Sequence, residues 1–171
     1  MPRIHITGAS GTGTTTLGRA LAQELSCAHF DSDDYYWFPT QPPYRKKREP
    51  AERLRLLQLD LGDAWVLSGS AVSWGDPLVP RFTAVVFLWV PVELRLERLR
   101  RREERMNVPV TGREEFLAWA AAYDEAGMEM RSRTMHEAWL AALTCPIIRL
   151  EGDLTTGERL RRLRAALTMT P

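Results

Sequence analysis

The stretch ITGASGTGTTTLGRALA, Ile6 to Ala22, decides how this chain is read. It nearly follows G-x-x-x-x-G-K-[ST], the loop that cradles phosphates between a strand and a helix. Gly8, Ala9, Ser10, Gly11, Thr12 and Gly13 fit the loop, and Thr15 stands where a hydroxyl meets Mg²⁺. The lysine is missing, because position 14 is Thr14. Glycines at 8, 11 and 13 tolerate positive φ, which lets backbone N–H groups converge on one concavity. A helix starting near Thr14 adds the positive end of its dipole. Such a loop binds a phosphate chain without lysine, although Thr14, Thr15 and Thr16 supply hydroxyls only. The lost point charge is expected to weaken triphosphate binding or slow transfer unless another cation replaces it. The competing reading is a glycine-rich turn that binds nothing. A strand before, a helix after and intact glycine spacing favour phosphate.

Outward from the loop, strands and helices alternate. Arg3–Thr7 reads as a first strand, and Leu17, Ala20, Leu21 and Leu25 give the following segment helical spacing. Ala28–Asp31 is a short strand that ends in acid. Pro39, Pro42 and Pro43 mark an irregular connection. Ala51–Leu61 is amphipathic, with Leu54, Leu57 and Leu61 on one side, and Trp65–Ser68 is a third strand. Ala84–Val90 is nearly all apolar, as a strand buried on both faces should be. A long charged helix follows Pro91 and is broken by Asn107–Gly112. Arg113–Leu143 is helical with a break near Gly127–Ser132, Pro146–Leu150 is a last strand, and Thr155–Leu167 a last helix. This order predicts an α/β fold with a parallel sheet covered on both faces. Ligands in such sheets bind beyond the carboxyl ends of the strands. Gly8–Thr15, Asp31–Asp34, Gly69–Ser70 and Gly152–Asp153 all follow strand ends.

The bulk numbers bound the function. The chain has 171 residues, enough for one domain, and 44% of them are hydrophobic, which excludes a disordered chain. A formal charge of +1 gives no reason to expect nucleic acid as a partner. Cys27 and Cys145 lack metal-type spacing and read as small core residues in a reducing cytoplasm. The first residues, MPRIHITGAS, lack the apolar run of a signal peptide, and no run approaches a membrane span. His5, His29 and His136 show no metal spacing and read as structural.

GASGTGTTTLGRALAQEL resembles the opening of the P-loop small-molecule kinases: nucleoside monophosphate, shikimate and gluconate kinases. That resemblance implies a three-layer sandwich around a five-stranded parallel sheet in the order 2-3-1-4-5. It implies one domain over 1–171, with an acceptor segment at about 33–62 and a lid at about 100–113. Archaeal-type cytidylate kinases carry a similar G-T-T-T ending, so Thr14 is compatible with activity. HFDSDDYYWF, His29–Phe38, resembles shikimate kinases. Carried over, Asp31 sits by the metal and Asp33 orients the acceptor hydroxyl, a role that suits a carboxylate chemically. The competing reading is an acidic turn in which Asp33 or Asp34 caps a helix. Tyr35, Tyr36, Trp37 and Phe38 either wall an acceptor pocket or pack under a helix. The stretch from Asp31 to Pro50 also looks like a bacterial group labelled adenylate-kinase-like or topology modulation proteins. Only that label suggests a role with DNA.

ELRLERLRRREERMN, Glu93–Asn107, is dense in arginine. The resemblance makes Arg98, Arg101, Arg102 and Arg105 candidates to close over phosphates, with Arg98, Arg102 and Arg105 favoured. One of them can supply the charge that Thr14 lacks. Otherwise such a helix pairs its own Glu and Arg in solvent. One arginine of Arg131–Arg133 is a further candidate, Lys46–Arg48 lean toward an anionic acceptor, and Arg159–Arg164 read as a solvated face. The loop Glu151–Thr155 corresponds to an adenine-side loop that acts through its backbone. The expectation is a cytoplasmic kinase, monomeric or homodimeric, that uses ATP and Mg²⁺ on a nucleoside monophosphate or hydroxyl metabolite. The alternative is a nucleotide-binding regulator without significant catalysis.

Overall fold

A computed structural model of the chain describes residues 1–41, 43–106 and 110–168. Five strands form one sheet: β1 (Arg3–Gly8), β2 (Ala28–Asp31), β3 (Trp65–Ser68), β4 (Ala84–Trp89) and β5 (Ile147–Glu151). All neighbours run parallel, in the order β2-β3-β1-β4-β5. This is the order the resemblance implies. Among the described residues seven α-helices connect or follow the strands: α1 (Thr14–Glu24), α2 (Ser32–Tyr36), α3 (Pro50–Asp60), α4 (Val92–Arg105), α5 (Val110–Ala121), α6 (Arg133–Ala141) and α7 (Thr156–Thr168).

Alternation along the strands divides the core in two. Trp65, Leu67, Val85 and Phe87 face one side, where Leu57 of α3 and Leu140 of α6 cover them. Val66, Val86 and Leu88 face the other side with Ile4 and Ile6, under Leu17 and Leu21 of α1 and Leu163 of α7. Cys27 and Cys145 are free thiols, half-buried at the margins of these clusters. Among the described residues no helix is long and apolar enough to cross a membrane, and no group of acids, histidines or cysteines could by itself hold a metal.

Two histidines lie inside the first cluster. His5 is fully buried, donates from Nδ1 to the Leu67 carbonyl at 3.1 Å and stacks on Phe82. His136 is also fully buried and meets the Tyr123 hydroxyl at 2.6 Å through Nδ1. Burial pushes His5 down to about 4, although its bond to Leu67 opposes this. Burial, helped by the charge of Arg131, pushes His136 down to about 3. Both are neutral structural residues at pH 7, as their sequence context suggested.

Three local features differ from the sequence reading. The acidic stretch after β2 is the short helix α2 rather than an open turn. Its cap is Asp31, whose side chain accepts from the Asp33 N–H at 3.1 Å, not Asp33 or Asp34. A 3-10 segment at Asp76–Arg81, with Pro77 and Pro80, was not anticipated. The break between α5 and α6 begins earlier than Gly127, because α5 ends at Ala121 and only a 3-10 turn, Ala122–Asp124, continues it. Pro42 and residues 107–109, which were expected to shape the irregular connection and break the charged helix, lie outside the described residues.

Candidate active site

The loop between β1 and α1 is braced from within. Thr12 is fully buried, and both its hydroxyl and its N–H donate to the Ala9 carbonyl, at 2.8 and 3.2 Å. Gly11 and Gly13 hold φ of +84° and +90°, and a Cβ at Gly11 would stand 2.8 Å from the Arg95 carbonyl. Both the backbone conformation and the space therefore require glycine there. Gly13 caps α1 without a side-chain bond, and the helical ladder starts with Leu17 N–H to Gly13 O at 3.0 Å. The N–H groups of Thr14, Thr15 and Thr16 precede that ladder and form the positive end of the helix dipole. A cavity of about 300 Å³ opens over them, lined by Gly8, Ser10, Gly11, Gly13 and Thr14 to Thr16. Thr12, expected among the loop residues that bind phosphate, does not line it; its side chain is committed to bracing the loop.

The Thr15 hydroxyl donates to Asp31 Oδ2 at 2.6 Å, and the Ser68 hydroxyl reaches the same oxygen at 3.2 Å. Loop, β2 and β3 thus aim two hard oxygen donors at one point beside the phosphate cavity. Asp33, on α2, lines this cavity and a larger neighbour. Lost hydration inside the cleft, then the Asp31 carboxylate, raise the Asp33 pKa above the ordinary aspartate range; Arg131 and Arg102 pull against them.

Arg98, Arg102 and Arg105 stand at i, i+4 and i+7 on α4 and all line the phosphate cavity. Arg98 donates to Asp153 at 2.7 Å and to the Gly11 carbonyl at 3.4 Å. Arg102 donates to Glu103 at 2.8 Å, and Arg105 to the Arg101 carbonyl at 3.2 Å. Arg101 instead points outward and pairs with Glu97. Arg131, in the break before α6, lines both cavities, donates to Ser10 Oγ at 2.6 Å and lies 5.0 Å over the Trp119 ring. The loop after β5 turns at Gly152, with φ of +89°, and contributes a side chain as well as backbone, since Asp153 holds Arg98.

One arginine overturns its sequence reading. Arg159, on α7, was assigned to a solvated face, yet it is only 4% exposed. Its Nη1 donates to the Thr12 carbonyl at 2.8 Å, and a Cβ at Gly13 would stand 3.2 Å from that same nitrogen. Its Nε and Nη2 have no hydrogen-bond partner among the described residues. A positive charge therefore sits directly behind the loop that lacks its lysine.

The larger cavity, about 540 Å³, shares Ser10, Asp33, Ser70, Arg102 and Arg131 with the phosphate cavity. Tyr36 and Trp37 do wall it, whereas Tyr35 is buried beneath α3 and donates to Asp60 at 2.7 Å. Of the basic run 46–48, only Lys47 lines it. Lys46 lies over Phe38, and Arg48 donates to the backbone carbonyls of Asp34, Tyr35 and Trp37, so it braces α2 instead of meeting an acceptor. Arg53 was missed in the sequence: it is buried, lies 3.7 Å over the Tyr36 ring and lines the cavity. Its position four residues before the buried Leu57 is a signal that it faces inward.

The fold has a close likeness among solved structures in shikimate kinase from Acinetobacter baumannii in complex with shikimate, with a TM-score of 0.60 at 21% identity over 99% of this chain and 95% of that one. In sequence, the chain is 32% identical over 129 residues to shikimate kinase of Acinetobacter baumannii (strain AYE), covering 68% of this chain and 72% of the relative. The chain belongs to the P-loop small-molecule kinases, of the shikimate kinase type. The chain is also 48% identical over 170 residues to the uncharacterised protein YqaC of Bacillus subtilis (strain 168), across 94% of both chains. No family model matches the chain.

Proposed function

We propose that the protein transfers the γ-phosphoryl group of ATP to a hydroxyl of a small acceptor. The observation that carries this reading is the wall common to the two cavities: Asp33 and Arg131 face a phosphate-binding loop on one side and an acceptor-sized space on the other. The N–H groups of Gly13 to Thr16 cradle the phosphates. Asp33 takes the proton of the acceptor hydroxyl, whose oxygen bonds to the γ-phosphorus. The bond from that phosphorus to the β,γ-bridging oxygen breaks, and ADP leaves with the electron pair. A raised pKa makes Asp33 a stronger base for that proton.

Thr15 and Asp31 fit Mg²⁺, a hard cation that prefers oxygen ligands and borrows others from phosphate and water. Bound there, the ion would neutralise charge on the phosphates. Arg98, Arg102, Arg105 and Arg131 supply the remaining positive charge around the transferred group, with Arg159 behind the loop, so the site does not depend on a lysine at position 14.

The test is ADP release from Mg-ATP across nucleoside monophosphates and small hydroxyl metabolites, with no-acceptor controls. Acceptor-dependent release is expected. Bound ATP with no release on any acceptor would favour the regulator instead.

A further inference from the structure

The larger cavity has a composition that the transfer reaction alone does not explain. Its walls include Tyr36, Trp37, Tyr44, Trp74, Phe116 and Trp119. Half of the chain's six tryptophans stand there. Arg45, Lys47, Arg53, Arg102 and Arg131 line the same space, against the carboxylates of Asp33 and Glu103 alone among the described residues. Glu103 is paired with Arg102, so these two charges offset each other, and the excess positive charge rests on Arg45, Lys47, Arg53 and Arg131 against Asp33.

The cations and rings are layered. Arg53 lies 3.7 Å over Tyr36, Arg131 5.0 Å over Trp119, Arg102 5.4 Å over Phe116 and Lys47 5.7 Å over Trp37. A guanidinium on one ring offers its other face to a second flat π-system. Such walls suit a compact polyol poorly. Each hydroxyl moved from water needs a partner, and an unmatched one is costly against aryl carbon. Side-chain acceptors for a polyol's O–H groups are few: Glu103 is paired with Arg102 and Ser10 accepts from Arg131, which leaves Asp33, Ser70, Ser73 and the hydroxyls of Tyr36 and Tyr44.

We infer that the acceptor is an anion carrying an aromatic ring, its carboxylate or phosphate ester held by the cavity's arginines and its ring stacked in the aromatic and guanidinium layers. This rests on the proposed kinase reading for the word acceptor, but the binding preference stands apart from transfer.

The experiment is equilibrium binding to the full chain without nucleotide, read by tryptophan fluorescence and checked by calorimetry. The probes are 3-(hydroxymethyl)benzoate and 3-(hydroxymethyl)phenyl phosphate, the neutral 3-(hydroxymethyl)benzamide, and the non-aromatic anions shikimate and gluconate. At least one aryl anion should bind about tenfold or more tighter than the benzamide, shikimate and gluconate. Which aryl anion binds distinguishes carboxylate from phosphate. Trp119→Leu and Trp37→Leu should each weaken that binding; if neither does, the ring is not read by these walls and the inference falls. It also falls if shikimate or gluconate matches the aryl anions, or if no aryl anion binds. Tight aryl binding without ADP release in the acceptor assay would break the kinase reading alone. Transfer to a polyol with no ring preference would break only this inference.

Discussion

The two ends of the cleft are built differently. The phosphate end is made of backbone: three glycines, a helix terminus and a buried threonine that braces them. The acceptor end is made of side chains drawn from α2, α3, α5 and the segments between, layered ring against cation. Backbone binding tolerates sequence change, which is why a loop can keep its shape without its lysine. Side-chain binding does not, and each residue there should matter to the identity of the acceptor.

Substitutions can sharpen that contrast. The largest effect is expected at Asp33→Asn, with kcat down by about 10²–10⁴ and ATP affinity unchanged; retained turnover in a coupled ADP assay would remove Asp33 from the reaction. Because the folded protein holds the Asp33 pKa up, its ionised form opposes folding above that pKa, and Asp33→Asn should leave the melting temperature unchanged or raised. For the same reason, the acid limb of kcat/KM in the parent protein should lie above the ordinary aspartate range of about 3.9.

Arg131→Met keeps an apolar stem over Trp119 but removes the charge common to both cavities. A fall in kcat/KM of about a hundredfold is expected, with both acceptor and ATP affinity affected. An effect on only one ligand would place Arg131 on one side of the wall.

Arg159→Met tests the charge behind the loop. ATP affinity, measured by calorimetry, should fall about tenfold, and adding Thr14→Lys should restore it. Loss of thermal stability with unchanged ATP affinity would make Arg159 a brace and nothing more.

The smallest effect at neutral pH comes from the core. His5 and His136 take up protons only when the chain unfolds, since burial holds both far below 6.5. The unfolded chain therefore binds more protons below its ordinary histidine pKa, and stability falls with the pH. The slope should approach about 2–3 kcal/mol per pH unit between about pH 6 and pH 4, in denaturant titrations.

The phosphate end was legible because its signals are local. The loop glycines, Ala28–Asp31 and Trp65–Ser68 needed only short-range rules, and the two strands match residue for residue. The buried arginines were not legible because arginine reads as a surface residue by composition. Arg53, Arg95 and Arg159 are all buried, and each stands four residues before a buried leucine: Leu57, Leu99 and Leu163. One helical turn puts each pair on the same face. Periodicity carried the signal, but charge outweighed it. Arg95, with bonds to the Val90 and Ala120 carbonyls and to Asp124, pins α4 to the segment after α5. No short-range rule finds partners that distant.

The bond from Arg131 to Ser10 spans 121 positions of sequence and fastens the acceptor wall to the phosphate loop. Two ligands that both draw on this one guanidinium are not independent guests. Whatever factor the nucleotide imposes on acceptor affinity, the acceptor must return to the nucleotide in equal measure. A single side chain would thereby let either ligand set how tightly the other is held, whichever of them comes first.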